Sequence, residues 1–220
     1  MEIRSRTIGR GGFGAVYEVE GHSKRLVVKK LNCSTAEFDK ELKTLKLLMH
    51  ENIVRFYEQP ENYPTDDTSQ FSIFMEYCEC GTLYSVIIDP EIVYTDGTIV
   101  FWATGLFDAL KYMEEKRIVH YDIKPEKQER VVPIEQRVKC DIYGMGLVVW
   151  EAMTRRPFLR KEKYYNQEDQ QGNTPGAQIL SLVQKACEED FQKRPTASEV
   201  LTLLENLAIN IGPNVAGKSA

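Results

Sequence analysis

Near the start of the chain, Gly9-Arg10-Gly11-Gly12-Phe13-Gly14-Ala15-Val16 fits the pattern G-x-G-x-x-G-x-V. Glycines so spaced let a backbone come close to phosphate oxygens and offer them its N–H groups. Glycine-rich hairpins also arise for purely structural reasons, so the surroundings matter. The segment lies between two predicted strands rather than ahead of a helix, which argues against a dinucleotide-binding turn. Fifteen residues after Gly14 comes Lys29, closing Leu26-Val27-Val28-Lys29. A lysine here would hold the α- and β-phosphates of a nucleotide and needs a carboxylate to fix it. Glu41, inside Lys40-Glu41-Leu42-Lys43-Thr44-Leu45, is the candidate. Lys30 is the rival cation. Strand alternation puts Lys29 on the face of Val27, which favours Lys29. Either charged residue taken alone reads as ordinary surface.

The frame for these residues is legible. Arg6–Ile8, Ala15–Glu20 and Arg25–Leu31 read as strands around the glycine-rich turn. Ser34-Thr35-Ala36-Glu37 is a capping box, after which Phe38, Leu42, Leu45 and Leu48 keep helical spacing. Residues 52–58 and 70–77 read as two further strands joined by the polar loop Asn62–Asp67. Beyond Gly81 the pattern is helical. Ile99, Trp102, Ala103, Leu106, Ala109, Leu110 and Met113 form one broad apolar stripe, the mark of a buried helix. Further helices are expected over Asp141–Met153 and Gln178–Ala186, and a last one from the capping box Thr196-Ala197-Ser198-Glu199. The predicted class is α+β, with a strand-rich first third and a helical remainder.

Hydrophobic residues make up 42% and charged residues 28%, the balance of an ordinary soluble globular chain. No apolar run approaches the roughly 20 residues needed to cross a bilayer, and the N-terminus has no signal-peptide core. The net charge of −5 argues against nucleic acid as the main partner. Five cysteines, with no CxxC pair among them, read as reduced thiols of a cytoplasmic protein without a zinc site.

One further motif settles the resemblance. From His120 to Lys127, His-Tyr-Asp-Ile-Lys-Pro-Glu-Lys matches H-R-D-L-K-P-E-N in all but three of eight positions. With it the chain resembles a eukaryotic protein kinase, and the likeness runs in family order over about residues 5 to 208. The resemblance implies a two-lobed fold, with an N-lobe over 1–77, a C-lobe over 78–209 and a disordered tail over 210–220. It implies an ATP site built from Ile8, Gly9, Gly11, Gly12, Gly14, Val16, Val27 and Lys29, with Met75, Glu76 and Cys78 in the segment that would bond adenine. It also implies Asp122 and Lys124 as catalytic residues beside the Lys29–Glu41 pair. Asp141-Ile142-Tyr143-Gly144-Met145-Gly146 with Trp150-Glu151 resembles the helix anchoring the large lobe, and Lys193-Arg194-Pro195-Thr196 the late arginine motif. Lys124-Pro125 follows the serine/threonine pattern. Gly81–Val86 and Trp150–Phe158 are most similar to the transforming-growth-factor-β-activated branch of MAP kinase kinase kinases, which implies a kinase or activator of such a cascade as partner.

The sequence also departs from the family. Lys127 stands where an Mg²⁺-binding Asn is expected, and only 13 residues separate it from Asp141, against roughly fifty in the family pattern. They contain no Asp-Phe-Gly, and Pro133-Ile134-Glu135 lies too close to Asp141 to serve as an APE. Mg²⁺ is thus the family's expected ion, but the ligands for it are missing. Arg194, if buried without its expected APE glutamate, would cost roughly 3–5 kcal/mol. The expectation is an ATP-binding domain with impaired phosphotransfer. The alternatives are an active kinase that recruits Glu126, Glu129 or Glu135 to the metal, and a non-catalytic scaffold or decoy.

Overall fold

A computed structural model describes residues 4–12, 14–61, 63, 71–120, 133–157 and 174–211. The chain divides into two compact units, Met1–Gly81 and Thr82–Ala220. The mixed α+β class read from the sequence holds, with an antiparallel sheet in the first unit and helices in the second. Of the disordered tail expected over 210–220, Asn210 and Ile211 instead close the last helix, and 212–220 lie outside the described residues, as do Tyr121–Lys127.

The sheet of the first unit comprises β1 (Arg4–Gly11), β2 (Gly14–Glu20), β3 (Leu26–Leu31), β4 (Phe56–Tyr57) and β5 (Ser72–Glu76), in the order β1-β2-β3-β5-β4. Directly paired residues of antiparallel strands point to the same face. Tyr17, Val28 and Phe74 pair in one such row. With Val19, Leu26, Tyr63 and Tyr57 they make the unit's core. The opposite face carries Val16, Lys29 and Ile73 in one row and Glu18, Val27 and Met75 in the next. The strand predicted over 52–58 shrinks to two residues, and a turn in which Ile53 N–H donates to the His50 carbonyl occupies its first two positions.

Helix α1 (Thr35–Leu47) begins at the predicted capping box. The Glu37 N–H donates to Ser34 Oγ, and the Ser34 N–H donates back to the Glu37 carboxylate at 2.8 Å. None of its residues is fully buried. Phe38 packs against Phe71 at 5.3 Å between ring centres.

The second unit packs α2 (Leu83–Ile88), α3 (Asp96–Glu115), α4 (Ile134–Thr154), α5 (Pro175–Ala186) and α6 (Ala197–Ile211) around one core. The stripe expected from Ile99 to Met113 lies on α3, whose Val100, Ala103 and Phe107 are almost fully buried. Helix α4 starts seven residues before the predicted Asp141. Pro133 sets its entry with φ −53°, a value proline's ring already imposes. Ile134, Val138 and Ile142 then continue the helical spacing backwards, and Val138 joins Leu110, Met113, Ile118 and Ala197 around a small cleft. The residues Pro133-Ile134-Glu135 are therefore a helix start.

At its other end α4 closes on Arg155, a non-glycine residue with φ 53°. Its guanidinium holds the left-handed cap in place, donating to the carbonyls of Asp89 and Ile92 and stacking 3.9 Å from the Tyr94 ring centre.

Helices α4 and α5 approach closely at Gly146. A Cβ there would lie 2.8 Å from both Ala186 Cβ and Cys187 Sγ. Gly146→Ala should therefore destabilise the protein by about 1–3 kcal/mol through overpacking, read as a lower urea midpoint with an unchanged slope. A second prediction concerns pH. Bonds to Ser34 and Thr196 hold the Glu37 and Glu199 carboxyls below their ordinary value near 4.5. A depressed folded pKa stabilises above the unfolded value and is lost as pH falls through the folded one. Stability should thus fall below about pH 4.5, and the double variant Glu37→Gln, Glu199→Gln should show a shallower fall in urea titrations at stepped pH.

Candidate functional site

In the first unit the glycine-rich hairpin is built by β1 and β2, which pair down to Gly11 opposite Gly14. Gly14 has φ 138°, and a Cβ on it would lie 2.0 Å from the Lys30 carbonyl oxygen. Only glycine fits, for a reason internal to the sheet. Gly9, Gly11 and Gly12 have open space around them instead, so their backbone can be approached from outside. The register slips between Thr7 and Gly9, leaving Ile8 unpaired and half exposed at the bulge.

Lys29 Nζ lies 2.7 Å from Glu41 Oε1, joining β3 to α1. Lys30, the rival, points to the other face, its ammonium 5.8 Å from the Tyr17 ring centre. Pleat alternation decided this, as the sequence argument held. Around Lys29 the same sheet face carries Val16, Val27 and Met75, three of the residues expected to line a nucleotide site. Lys29 and Glu41 keep side-chain exposures of 29% and 38%. Such a half-exposed pair adds at most about 1 kcal/mol of stability, so its value is positional.

After Met75 the chain is pinned by its neighbours. The Glu76 N–H donates to the Arg55 carbonyl at 3.0 Å, and the Glu76 carboxylate accepts from the Arg55 N–H at 2.8 Å. The Tyr77 N–H donates to the Arg25 carbonyl at 3.3 Å. The Glu76 side chain is thus committed to the sheet edge, and Cys78 is exposed in the turn that follows.

In the second unit, the described chain before the catalytic loop ends on an anchor. The His120 N–H donates to Oδ2 of Asp141 at 2.8 Å, and Asp141 is only 4% exposed. Asp122 and Lys124, the expected catalytic residues, lie just beyond, outside the described residues.

Arg194 corrects an expectation. Its guanidinium is not left alone. Nε donates to the Glu188 carbonyl at 2.6 Å, Nη1 to that of Lys139 at 3.0 Å, and Nη2 to that of Glu189 at 3.4 Å. The Tyr143 ring centre lies 4.7 Å away. Lys139 Nζ donates back to the Arg194 carbonyl. Backbone oxygens thus take the place of a glutamate, and the penalty for an isolated buried charge does not arise. Sequence reading missed Lys139, because nothing local links two residues 55 positions apart. Beside them, burial pushes the Cys187 thiol up to about 12, with Arg194 opposing.

The geometry has a sequence counterpart among known proteins. A family model described as the protein kinase domain matches residues 3–127, more than half of the chain, which therefore belongs to the protein kinase family. The match ends on Lys127.

Among curated relatives, a probable serine/threonine-protein kinase of Dictyostelium discoideum is 25% identical over 252 residues, covering 90% of this chain and 27% of that protein. Human mitogen-activated protein kinase kinase kinase 7 is 26% identical over 195 residues, 69% of this chain and 31% of the relative. The probable serine/threonine-protein kinase zyg-1 of Caenorhabditis briggsae reaches 34% over 119 residues, 53% of this chain and 16% of that protein. The chain thus spans less than a third of these relatives. The 252 aligned positions exceed its own 220 residues, so the Dictyostelium protein carries residues without a counterpart here.

Removing the Arg194 fork should leave the Glu188, Glu189 and Lys139 carbonyls short of a donor. Arg194→Ala is expected to lower stability by about 1–3 kcal/mol in urea denaturation. Arg194→Lys should recover only part of it, because one ammonium cannot span three acceptors.

Proposed function

We propose that this protein is a nucleotide-binding kinase domain of the MAP kinase kinase kinase type that binds ATP and transfers its γ-phosphate poorly or not at all. The observation that carries the first half is the Lys29–Glu41 ion pair of 2.7 Å. It holds the ammonium on the sheet face that also bears Val16, Val27 and Met75. The open backbone at Gly9, Gly11 and Gly12 supports the same reading. In it, Lys29 neutralises the α- and β-phosphates, the glycine hairpin covers them, and the segment Met75-Glu76-Tyr77-Cys78 bonds adenine through its backbone. Ile8 covers the base.

The second half rests on what the chain lacks to hold metal. Members of the family use ATP with Mg²⁺. The donor set here does not fit that ion. Lys127 replaces the expected Asn, the sequence contains no Asp-Phe-Gly, and Glu41 is engaged by Lys29. Among the described residues no group of three His, Cys, Asp or Glu is placed to hold a metal. Losing one preorganised electrostatic partner typically costs about 10²–10³ in rate, and here two metal anchors are absent from the sequence. Asp122 then remains as a base with no activated phosphate to serve, and Lys124 as its neighbouring cation. A domain of this kind acts through binding, and the partner expected for it is a kinase or activator of a MAP kinase cascade. Among the described residues no helix is long and apolar enough to cross a membrane. A cytoplasmic setting suits the reading.

The test is thermal unfolding of the purified protein with and without ATP, in Mg²⁺ and in EDTA, beside a phosphotransfer assay. ATP should raise the midpoint in both media, and Lys29→Met should lose most of the shift. At 100-fold excess over Kd the stabilisation amounts to about 2.7 kcal/mol. Phosphotransfer should not exceed that of Lys29→Met. Mg²⁺-dependent turnover that disappears in Asp122→Asn would establish a working enzyme instead. A cooperative transition indifferent to nucleotide would favour the scaffold.

A further inference from the structure

The turn that follows β5 carries two cysteines, and nothing in the kinase reading uses their sulfurs. We propose that Cys78 and Cys80 form a redox-active dithiol, which a small disulfide of the glutathione class oxidises to an intramolecular disulfide spanning Glu79. The proposal is independent of nucleotide binding.

Three features build the site. First, the Gly81 N–H donates to the Cys78 carbonyl at 3.2 Å, closing a turn over Cys78–Gly81. Two virtual bonds of 3.80 Å bent in a turn put the Cα atoms of its first and third residues about 5–6 Å apart, inside the range of about 4.4–6.8 Å that disulfides span. Second, the turn is held from outside. Arg25 grips Glu79 at 2.9 Å, grips Glu18 at 2.9 Å, and lies 4.0 Å over the Tyr77 ring centre. The residue between the two cysteines is thereby tied back to the sheet. Third, Cys78, Glu79, Cys80 and Gly81 are all exposed, so reagents have access.

The remaining thiols do not share these features. Cys187 is 3% exposed and donates toward the Tyr143 carbonyl. Cys33 is partly buried, and Cys140 is exposed but has no cysteine within forty residues on either side in the sequence.

The chemistry balances as thiol–disulfide exchange. The Cys80 thiolate attacks one sulfur of glutathione disulfide and expels one glutathione thiolate, leaving a mixed disulfide. Cys78 then loses its proton and attacks the Cys80 sulfur, and the second glutathione departs. The two protein thiols are oxidised by two electrons, and glutathione disulfide is reduced to two molecules of glutathione. Burial and the Glu76 carboxylate hold the Cys78 thiol above its ordinary range, which suits the resolving role rather than first attack. A ring closed over a single residue is strained and exposed, and bonds of that kind are readily reduced again. The pair is therefore a reversible modification site and not a structural staple.

Cleavage after lysine and arginine releases residues 56–111 as one peptide, containing Cys78 and Cys80 and no other cysteine. Further cleavage after Glu79 separates the two. The whole protein is incubated with glutathione disulfide, alkylated, cleaved in this way and weighed by mass spectrometry. The expected result is a peptide lighter by two hydrogens whose halves stay joined after cleavage at Glu79 and part on reduction. Cys80→Ser should lose the joined species altogether while unfolding at the same temperature as the parent. Two outcomes would overturn the proposal: both thiols remaining alkylatable while Cys140 reacts, or each carrying its own glutathione with the halves falling apart.

Discussion

A lysine on a strand and a glutamate on a helix twelve residues later meet only if three things agree. The sheet register must put the lysine on the right face, the loop between must close, and the helix must start in phase. The ion pair of 2.7 Å between Lys29 and Glu41 is where these conditions coincide. Val16, Lys29 and Ile73 occupy one row across β2, β3 and β5, and a slip of one residue would replace them with the Tyr17, Val28, Phe74 row. The apolar core on that second row excludes the slip. The capping box at Ser34 sets the phase of α1, which places Glu41 on the turn facing β3. Because α1 buries no residue completely, its position depends on contacts such as this pair and the Phe38–Phe71 stack.

The second unit solves a different problem. A chain lacking the segment expected between Lys127 and Asp141 must still satisfy the arginine near its last helix. It does so with main-chain oxygens of Glu188, Glu189 and Lys139, and with the face of Tyr143. The early start of α4 brings Lys139 into place, so that the two cations exchange bonds with each other's carbonyls. A carbonyl carries no net charge, and the guanidinium is only partly withdrawn from water, so neither ion demands a buried counter-charge. A short connection between Lys127 and Asp141 is compatible with a satisfied helical core.

Family membership and chemical competence are separate matters here. The protein kinase model covers residues 3–127. What a phosphoryl transfer needs beyond positioning is charge neutralisation at the γ-phosphate, which the family draws chiefly from metal. Lys127 stands where the family pattern has an Asn. Recognition of phosphates by Lys29 and a glycine hairpin without efficient transfer is the proposal that this difference supports.

Much of this was readable in one dimension. The periods of two and 3.6 residues located β2, β3, α1 and α3, because burial on one face writes itself into spacing. Both capping boxes were legible because their bonds are local. The choice of Lys29 over Lys30 followed from alternation alone. Other features required the fold. The start of α4 at Ile134 was hard to read because Ile134 and Val138 stand among charged and polar residues in two half-exposed turns, and the contacts around Val138 come from α3 and α6. Gly14 carried a phosphate-binding pattern in the sequence, yet the structure gives a steric reason for it in the Lys30 carbonyl. The partners of Arg194 could not be read at all, since main-chain oxygens leave no trace in residue identity. Local periodicity and capping are properties of neighbours along the chain; which backbone atoms answer a distant charge is settled only when the helices pack.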